Sequence, residues 1–205
     1  MSRPGRYGDG VQVEDRSFAG DDWWGEDLGE RVYLRCRFAD VDLTEATSRG
    51  ARFEECQFFN VRFNSGRHAD SALLRCTFRK CNLFDTTWEG CKLVGSSFDD
   101  CDLRPMTVTG GDWSFVHLAG ADLRTAVFRN VRMREAELSG ADLTEATLSH
   151  VDLSGAQLAR AKLVRADLRG SDLSALDPRT CETTEAVIDA DQAIVIARAI
   201  GFTLG

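Results

Sequence analysis

The sequence has 205 residues, in which 33 acidic side chains outnumber 25 basic ones and give a formal net charge of −8 at pH 7. This charge argues against binding to nucleic acid by phosphate neutralisation, although a partner that itself grips DNA would attract such a chain. There is neither a run of about 18 apolar residues nor a charged-then-apolar amino-terminal segment, so we expect no membrane insertion, no secretion and a cytoplasmic location.

The chain begins with a stretch outside any repeat, and we interpret residues 1–13 as a flexible N-terminal segment. From residue 14 to residue 176 a five-residue period dominates: every fifth residue from Phe18 to Leu173 is apolar, except Ser48 and His68. We call these positions central. Neither an α-helix nor a β-strand repeats at five residues, so the period must belong to the architecture.

The residue two positions before each central residue is small at most repeats, as in the run Ala136, Ala141, Ala146, Val151, Ala156, Ala161, Ala166. A residue and its second neighbour share a side only in extended backbone, which predicts about three extended residues per unit. The other two residues are polar and suited to a turn. Alternating strands and corners make a coil.

Identical central residues recur at a spacing of twenty, as in Phe18, Phe38, Phe58, Phe78 and Phe98, whereas a spacing of fifteen gives no such alignment. Stacking of like on like is what parallel, in-register coils require. We therefore predict an all-β protein: a quadrilateral parallel β-helix with twenty residues per turn and about eight turns.

The cysteines and tryptophans follow the same period. Six cysteines occupy the small position, which predicts packed thiols and neither disulfides nor a metal ladder: Cys36, Cys56, Cys76, Cys81, Cys91 and Cys101. Trp23, Trp88 and Trp113 are central and predicted to be core, whereas Trp24 is out of phase and is expected to cover the first turn.

Chemistry-bearing patterns are missing from the sequence. His68, His117 and His150 occupy three different phases, so the repeat brings no pair of them to one cysteine in a catalytic or zinc geometry. We predict no catalytic residues, no metal and no cofactor, and thus not an enzyme. Ser48 and His68 lie one above the other, where we expect a local irregularity eased by Gly66: a bulged corner or a buried hydrogen bond, with a ligand site as the less favoured interpretation.

One column of outward residues is acidic. The residue before each central position forms four columns, and one of them contains Asp22, Asp42, Asp102, Asp122 and Asp142, beside corner residues Asp40, Glu45, Asp85, Asp100 and Glu145. These carboxylates could occupy a groove lined by Lys and Arg that normally holds phosphates. The alternative is structural, because an Asp at this position can bond neighbouring backbone.

The C-terminal segment, residues 177–205, is expected to close the coil. Asp177-Pro178 interrupts the repeat, Asp189 and Gln192 suit a capping box, and a helix is predicted over residues 190–200, ended by Gly201. This helix is apolar over too wide an arc for a simple cap. We predict a homodimer, the alternative being an apolar monomer, with an interface formed by Ile194, Ile196, Ala197, Ile200, Phe202 and Leu204.

Units such as residues 140–143 and 151–153 resemble the Ala-(Asp/Asn)-Leu-x-x pattern of the pentapeptide-repeat family, which implies a right-handed quadrilateral β-helix. Residues 45–50, 103–107 and 188–193 resemble the MfpA and Qnr group of fluoroquinolone-resistance proteins within that family. Departures are the extra stretch at residues 1–13 and Ser48, where the group carries a bulkier polar residue.

The resemblance implies a dimeric rod that mimics B-form DNA in shape and charge and binds DNA gyrase. Such a protein would compete with DNA, modulate supercoiling and protect gyrase from fluoroquinolones or a related toxin, with gyrase and a second copy of itself as partners and without nucleic acid or membrane. The alternative function is a generic β-helical scaffold for protein interaction, with no topoisomerase role.

Overall fold

The structure is a computed structural model and describes residues 11–203. Its strands and its helix α1 follow one another in the chain as β1 Gln12–Glu14, β2 Ser17–Ala19, β3 Val32–Leu34, β4 Arg37–Ala39, β5 Thr47–Arg49, β6 Arg52–Glu54, β7 Gln57–Phe59, β8 Arg67–Ala69, β9 Ala72–Leu74, β10 Thr77–Arg79, β11 Thr86–Glu89, β12 Ser97–Asp99, β13 Met106–Thr109, β14 Val127–Arg129, β15 Thr147–Ser149 and α1 Ala190–Ala199. No helix within residues 11–203 combines the length and the apolar character that crossing a membrane requires.

The strands form a parallel β-helix with four faces. Three faces are sheets, in the orders β1-β3-β6-β9, β12-β10-β7-β4-β2 and β15-β14-β13-β11-β8-β5. All their pairs are parallel and in register at twenty residues, as in Phe38 over Phe18. The fourth face, which carries Asp22, is built from isolated bridges such as Asp22 to Asp42. The predicted fold class and the twenty-residue turn are confirmed.

The central residues fill the interior. Consecutive phenylalanine rings stack, with centroids 5.0 Å apart for Phe18 and Phe38 and 4.6 Å apart for Phe78 and Phe98. Five of the small-position cysteines are buried, Cys101 and Cys181 are half-buried, and all seven are free thiols, as predicted for the six within the repeat. The expectation for Trp24 is wrong: it points outward and is 61% exposed.

The corners adopt a backbone conformation that residue type alone does not predict. The corner residue lies at a multiple of five and adopts a positive φ even where it is not glycine, as at Asp40 (55°), Glu45 (58°) and Phe115 (58°). Such a conformation is unfavourable for ordinary side chains. Its cost is offset by a backbone hydrogen bond to the next turn, for example from the amide of Glu45 to the carbonyl of Asn64 at 2.8 Å.

The C-terminal end is capped as predicted. Asp189 and Gln192 form a capping box, and Gln192 Nε2 also donates to the carbonyls of Leu168 and Ser171, both at 2.7 Å. The twenty-residue register continues past residue 176, the boundary predicted from Asp177-Pro178, because Asp167 still bridges to Val187. The helix thus covers the final turn through a polar side chain that satisfies its exposed carbonyls.

Candidate functional site: the acidic face

We call the fourth face, together with its two bordering corners, the acidic face. It carries the column Asp22, Asp42, Asp102, Asp122 and Asp142. Parallel bridges stack the predicted column: Asp22 on Asp42, and further along Asp122 on Asp142. The bordering corners carry Asp40, Glu45, Asp85, Asp100 and Glu145. The structure therefore brings the predicted carboxylates together along one side of the β-helix.

The aspartates before central residues have a structural task on this face and on the others. One carboxylate oxygen of Asp42 accepts a hydrogen bond from the amide of Thr44 at 3.0 Å, and Asp142 does the same for Thr144 at 3.1 Å. Asp172, on the opposite face, holds the amide of Ser174 in the same way at 2.8 Å. The structural interpretation of these aspartates is thus correct, but the hydrogen bond from the backbone amide occupies only one of the two carboxylate oxygens.

Basic side chains compensate part of the face. Arg62 pairs with Asp42 at 2.5 Å, and Asp122 pairs with Arg124 at 2.7 Å and with Arg104 at 2.8 Å. Further ion pairs join Lys162 to Asp142 and Arg165 to Glu145. Among the described residues, no ion pair engages the remaining predicted carboxylates, which are Asp22, Asp40, Glu45, Asp85, Asp100 and Asp102.

These contacts keep the carboxylates ionised. Burial acts to raise the pKa of Asp42, but hydrogen bonds from Thr44 and Arg62 outweigh it, and the resulting pKa is lowered. The hydrogen bond from Arg124 is the largest influence on Asp122 and lowers its pKa. For Asp142 burial is again outweighed, here by Thr144 and Lys162, and the pKa is lowered.

Charge is not uniform along the acidic face. Residues 40–45 contribute Asp40, Asp42 and Glu45 without a basic residue, whereas residues 160–165 contribute Arg160, Lys162 and Arg165 without an acidic one. The face therefore changes from acidic near the N-terminal turns to basic near the C-terminal turns.

The column is interrupted between Asp102 and Asp122. The bridge and the ladder hydrogen bonds that join other turns, such as the amide of Leu83 to the carbonyl of Asp102 at 2.7 Å, have no counterpart between these two turns in the described chain. A cavity of about 430 Å³ opens there, lined by Asp100, Cys101, Asp102 and Asp122. Pro105, which has no amide N–H to donate, is the sequence signal that could have indicated it.

The predicted dimer residues separate into two groups. Ile194, Ile200 and Phe202 are exposed, at 42%, 41% and 64%. Ile196 and Ala197 are half-buried, and Ile196 packs against the core of its own chain. Leu204 lies outside the described residues. The sequence analysis did not single out Val187, which is 45% exposed and bridges to Asp167.

Comparison with known proteins agrees with this architecture. The family model for the pentapeptide repeat region matches residues 81–158. The pentapeptide repeat protein MfpA of Mycobacterium tuberculosis is 38% identical over 87 residues, which are 42% of this chain. The middle of the chain, residues 81–158, therefore resembles the pentapeptide repeat. The matched region spans 48% of MfpA, about half of the relative's length.

Solved structures of other proteins share the fold. A trypsin-treated variant of QnrB1, described as a plasmid-mediated fluoroquinolone resistance protein, has a TM-score of 0.86 at 19% identity and covers 95% of this chain and 98% of its own. HetL of the cyanobacterium Nostoc sp. has a TM-score of 0.56 at 20% identity, with 86% of each chain covered. At these identities the likeness concerns the fold alone.

Ser48 and His68 are the polar residues at central positions of the repeat. Their backbones stay in regular register, so the predicted bulged corner is wrong, and the predicted buried hydrogen bond is present: Ser48 Oγ lies 2.9 Å from His68 Nδ1. Ser48 Oγ is also 2.9 Å from Ser71 Oγ, which donates to the carbonyl of Ala69 at 2.8 Å. Gly66 leaves room for the imidazole, since a Cβ there would lie 3.0 Å from His68 Nε2.

The hydrogen-bond chain assigns the protons. Ser71 uses its only proton on Ala69, so the proton between the two serines must come from Ser48. Ser48 then has none left for the imidazole, and His68 must donate from Nδ1. Nε2 is therefore a bare acceptor, and it has no partner among the described residues. Burial lowers the pKa of His68 to about 4, which keeps the ring neutral.

The described residues offer no cluster of three or more His, Cys, Asp or Glu side chains suited to a metal ion. Five of the cysteines lie inside the apolar interior, where burial raises the pKa of Cys91 to about 11 and so disfavours its thiolate. What the surface provides is charge and shape, which suits recognition of another macromolecule.

Proposed function

We propose that this protein binds DNA gyrase as a mimic of DNA, competes with the DNA segment, and thereby modulates supercoiling and protects the enzyme from fluoroquinolones or a related toxin. The relatives support this direction: QnrB1, which shares the fold, is described as a plasmid-mediated fluoroquinolone resistance protein, and MfpA matches part of the chain in sequence. The activity would be one of binding, without catalysis.

The acidic face carries this proposal. Where two aspartates stack, as Asp22 with Asp42 and Asp122 with Asp142, their turns lie about 4.8 Å apart along the rod, and the phosphates of one DNA strand follow one another at about 3.4 Å along the helix axis. Lowered pKa values keep Asp42, Asp122 and Asp142 charged at neutral pH. A groove lined by Lys and Arg would therefore meet a row of fixed negative charges of comparable spacing.

A homodimer through the C-terminal segment would extend the rod. Exposed Ile194, Ile200 and Phe202 form an apolar surface at the capped end. Pairing there would place the basic turns near the middle and the acidic N-terminal turns at both ends. Action on gyrase also places the protein in the cytoplasm.

A second candidate is a β-helical scaffold that binds a different protein and has no topoisomerase role. The ion pairs of Arg62, Arg104 and Arg124 favour it, because they neutralise carboxylates that a DNA mimic would leave free. Supercoiling by gyrase of the source organism, measured with and without a fluoroquinolone, separates the two. The scaffold is supported if micromolar protein neither inhibits the enzyme nor protects it.

A matched pair of variants tests the face itself. Asn82 holds the amide of Phe84 at 2.9 Å, which shows that an amide oxygen can replace the carboxylate in the structural bond. Asp22→Asn and Asp172→Asn should thus preserve the fold and each remove one charge. We expect inhibition of supercoiling to weaken for Asp22→Asn only; equal effects of both variants would contradict the assignment of the face.

A further inference from the structure

Aromatic side chains are exposed along the acidic face. Outside the C-terminal segment, the large apolar side chains exposed within residues 11–203 are Trp24 (61%), Phe59 (38%), Phe84 (46%) and Phe115 (54%). Trp24 and Phe84 each follow a central residue of the acidic face, in one column with Thr44 and Asn64 between them, about 14 Å apart over three turns. Phe59 borders the other edge, where its carbonyl accepts from the amide of Asp40.

The same turns hold uncompensated charge. Asp22, Asp40, Glu45 and Asp85 lie between and beside these aromatic side chains, and none has a basic partner among the described residues. The compensated carboxylates Asp122 and Asp142 lie farther along the rod, in a part of the acidic face that carries no exposed large aromatic side chain among the described residues. Free carboxylates and exposed aromatic rings thus coincide in residues 22–85.

We propose that this segment of the acidic face is a docking surface for a basic protein groove, in which Trp24, Phe59 and Phe84 serve as anchors between the carboxylates. The proposal rests on the proposed function and adds to it that contact with the partner is partly apolar. Negative charge repels duplex DNA, anionic lipid and the same face of a second copy. A groove with arginine fits both features, because guanidinium groups pair with carboxylates and stack on aromatic rings.

Phe115 provides a matched control. It is as exposed as the anchors, but it lies at the corner diagonal to the one that carries Glu45 and Asp85, away from the acidic face. None of the exposed rings has an aromatic partner within the described residues, so replacement by serine should leave the unfolding temperature unchanged.

The test measures the Kd for DNA gyrase at several salt concentrations for the wild type, the double variant Trp24→Ser/Phe84→Ser, Phe115→Ser and Asp22→Asn. The double variant should bind about tenfold more weakly with an unchanged salt dependence, as expected for apolar hot spots. Asp22→Asn should reduce the salt dependence, and Phe115→Ser should bind as the wild type does.

Two outcomes overturn the proposal and can be told apart. If the wild type binds gyrase and the double variant binds within about twofold of it, the anchors are refuted while the proposed function stands. If the wild type does not bind gyrase, both fail. Binding of duplex DNA or of anionic phosphatidylglycerol vesicles that the double variant loses would also contradict a basic protein as the occupant.

Discussion

The neutral His68 should make the stability of the fold depend on pH in a way that a single substitution removes. The ring is 5% exposed, stacks on Trp88 with centroids 4.4 Å apart, and donates to Ser48. Nε2 has no hydrogen-bond partner among the described residues, and burial alone accounts for the lowered pKa of the ring, so a proton on Nε2 would be a buried charge without a hydrogen-bonded partner. Acid should therefore favour the unfolded chain, in which the histidine ionises freely.

The magnitude follows from the two pKa values. The folded pKa of His68 is lowered to about 4 from the ordinary value of 6.5. Stability from this group is fully present above pH 6.5 and is lost as the pH falls towards 4, because the unfolded chain binds the proton first. The difference corresponds to about 3 kcal/mol in total, of which about 2 kcal/mol should be lost between pH 7 and pH 5.

The assay is urea unfolding of wild type and His68→Phe between pH 7 and pH 5. Phenylalanine keeps an aromatic ring against Trp88 and cannot titrate. The carboxylates are common to both proteins, so their contribution to the pH dependence of the free energy of unfolding cancels in the comparison. We expect the free energy of unfolding of the wild type to fall by about 2 kcal/mol more than that of the variant. Parallel curves for the two proteins would refute the assignment of a buried neutral histidine.

Three further predictions concern the cap, the dimer surface and the glycine beside His68. Gln192→Ala should lower the free energy of unfolding by about 2 kcal/mol, measured in urea, because it leaves the carbonyls of Leu168 and Ser171 without their donor and removes half of the capping box. If the proposed homodimer forms, Phe202→Ser with Ile200→Ser should reduce the sedimenting mass from dimer to monomer while the chain stays folded, since both side chains are exposed on the single chain; Ile196→Asp is a poor probe because Ile196 packs on its own core. Gly66→Ala should destabilise the fold by about 1 to 3 kcal/mol in thermal unfolding, because its Cβ would lie 2.8 Å from the carbonyl oxygen of Phe63. An unchanged unfolding temperature would show that the backbone at Phe63 can shift to accept the methyl group.

The five-residue period was enough to predict the fold because stacking is a strict condition. A side chain above its own equivalent can pack only if size and polarity repeat, and Phe18, Phe38 and Phe58 satisfy this visibly. The left-handed corners could not be predicted from residue type, because Arg35 and Phe115 have no preference for that conformation. They adopt it since each turn supplies a carbonyl for their amide, which is a property of the neighbouring coil.

The sequence predicts which residues lie on the acidic face, but it does not predict which of their charges are compensated by ion pairs. The period places Asp122 on the same column as Asp22, but only the side-chain geometry shows that Arg104 and Arg124 both reach Asp122. The period did not predict the break between Asp102 and Asp122, because Leu103 keeps the central position apolar. The break itself goes with Pro105, which removes an amide donor from the next corner. The period of apolar residues describes side-chain packing in the interior, whereas the break is a loss of backbone hydrogen bonds between two turns.

The position before each central residue needs an acceptor, and the structure shows that it does not need a charge. Asn82 makes the bond to Phe84 with an amide oxygen at 2.9 Å, and Glu137 makes it to the amide of Ser139 at 2.8 Å. The negative charge at Asp22 is thus separable from the fold, since asparagine would serve the corner equally well. A chain that carries unpaired aspartates where asparagine suffices has a net field along one face that folding does not require, and such a field would attract the basic partner proposed above.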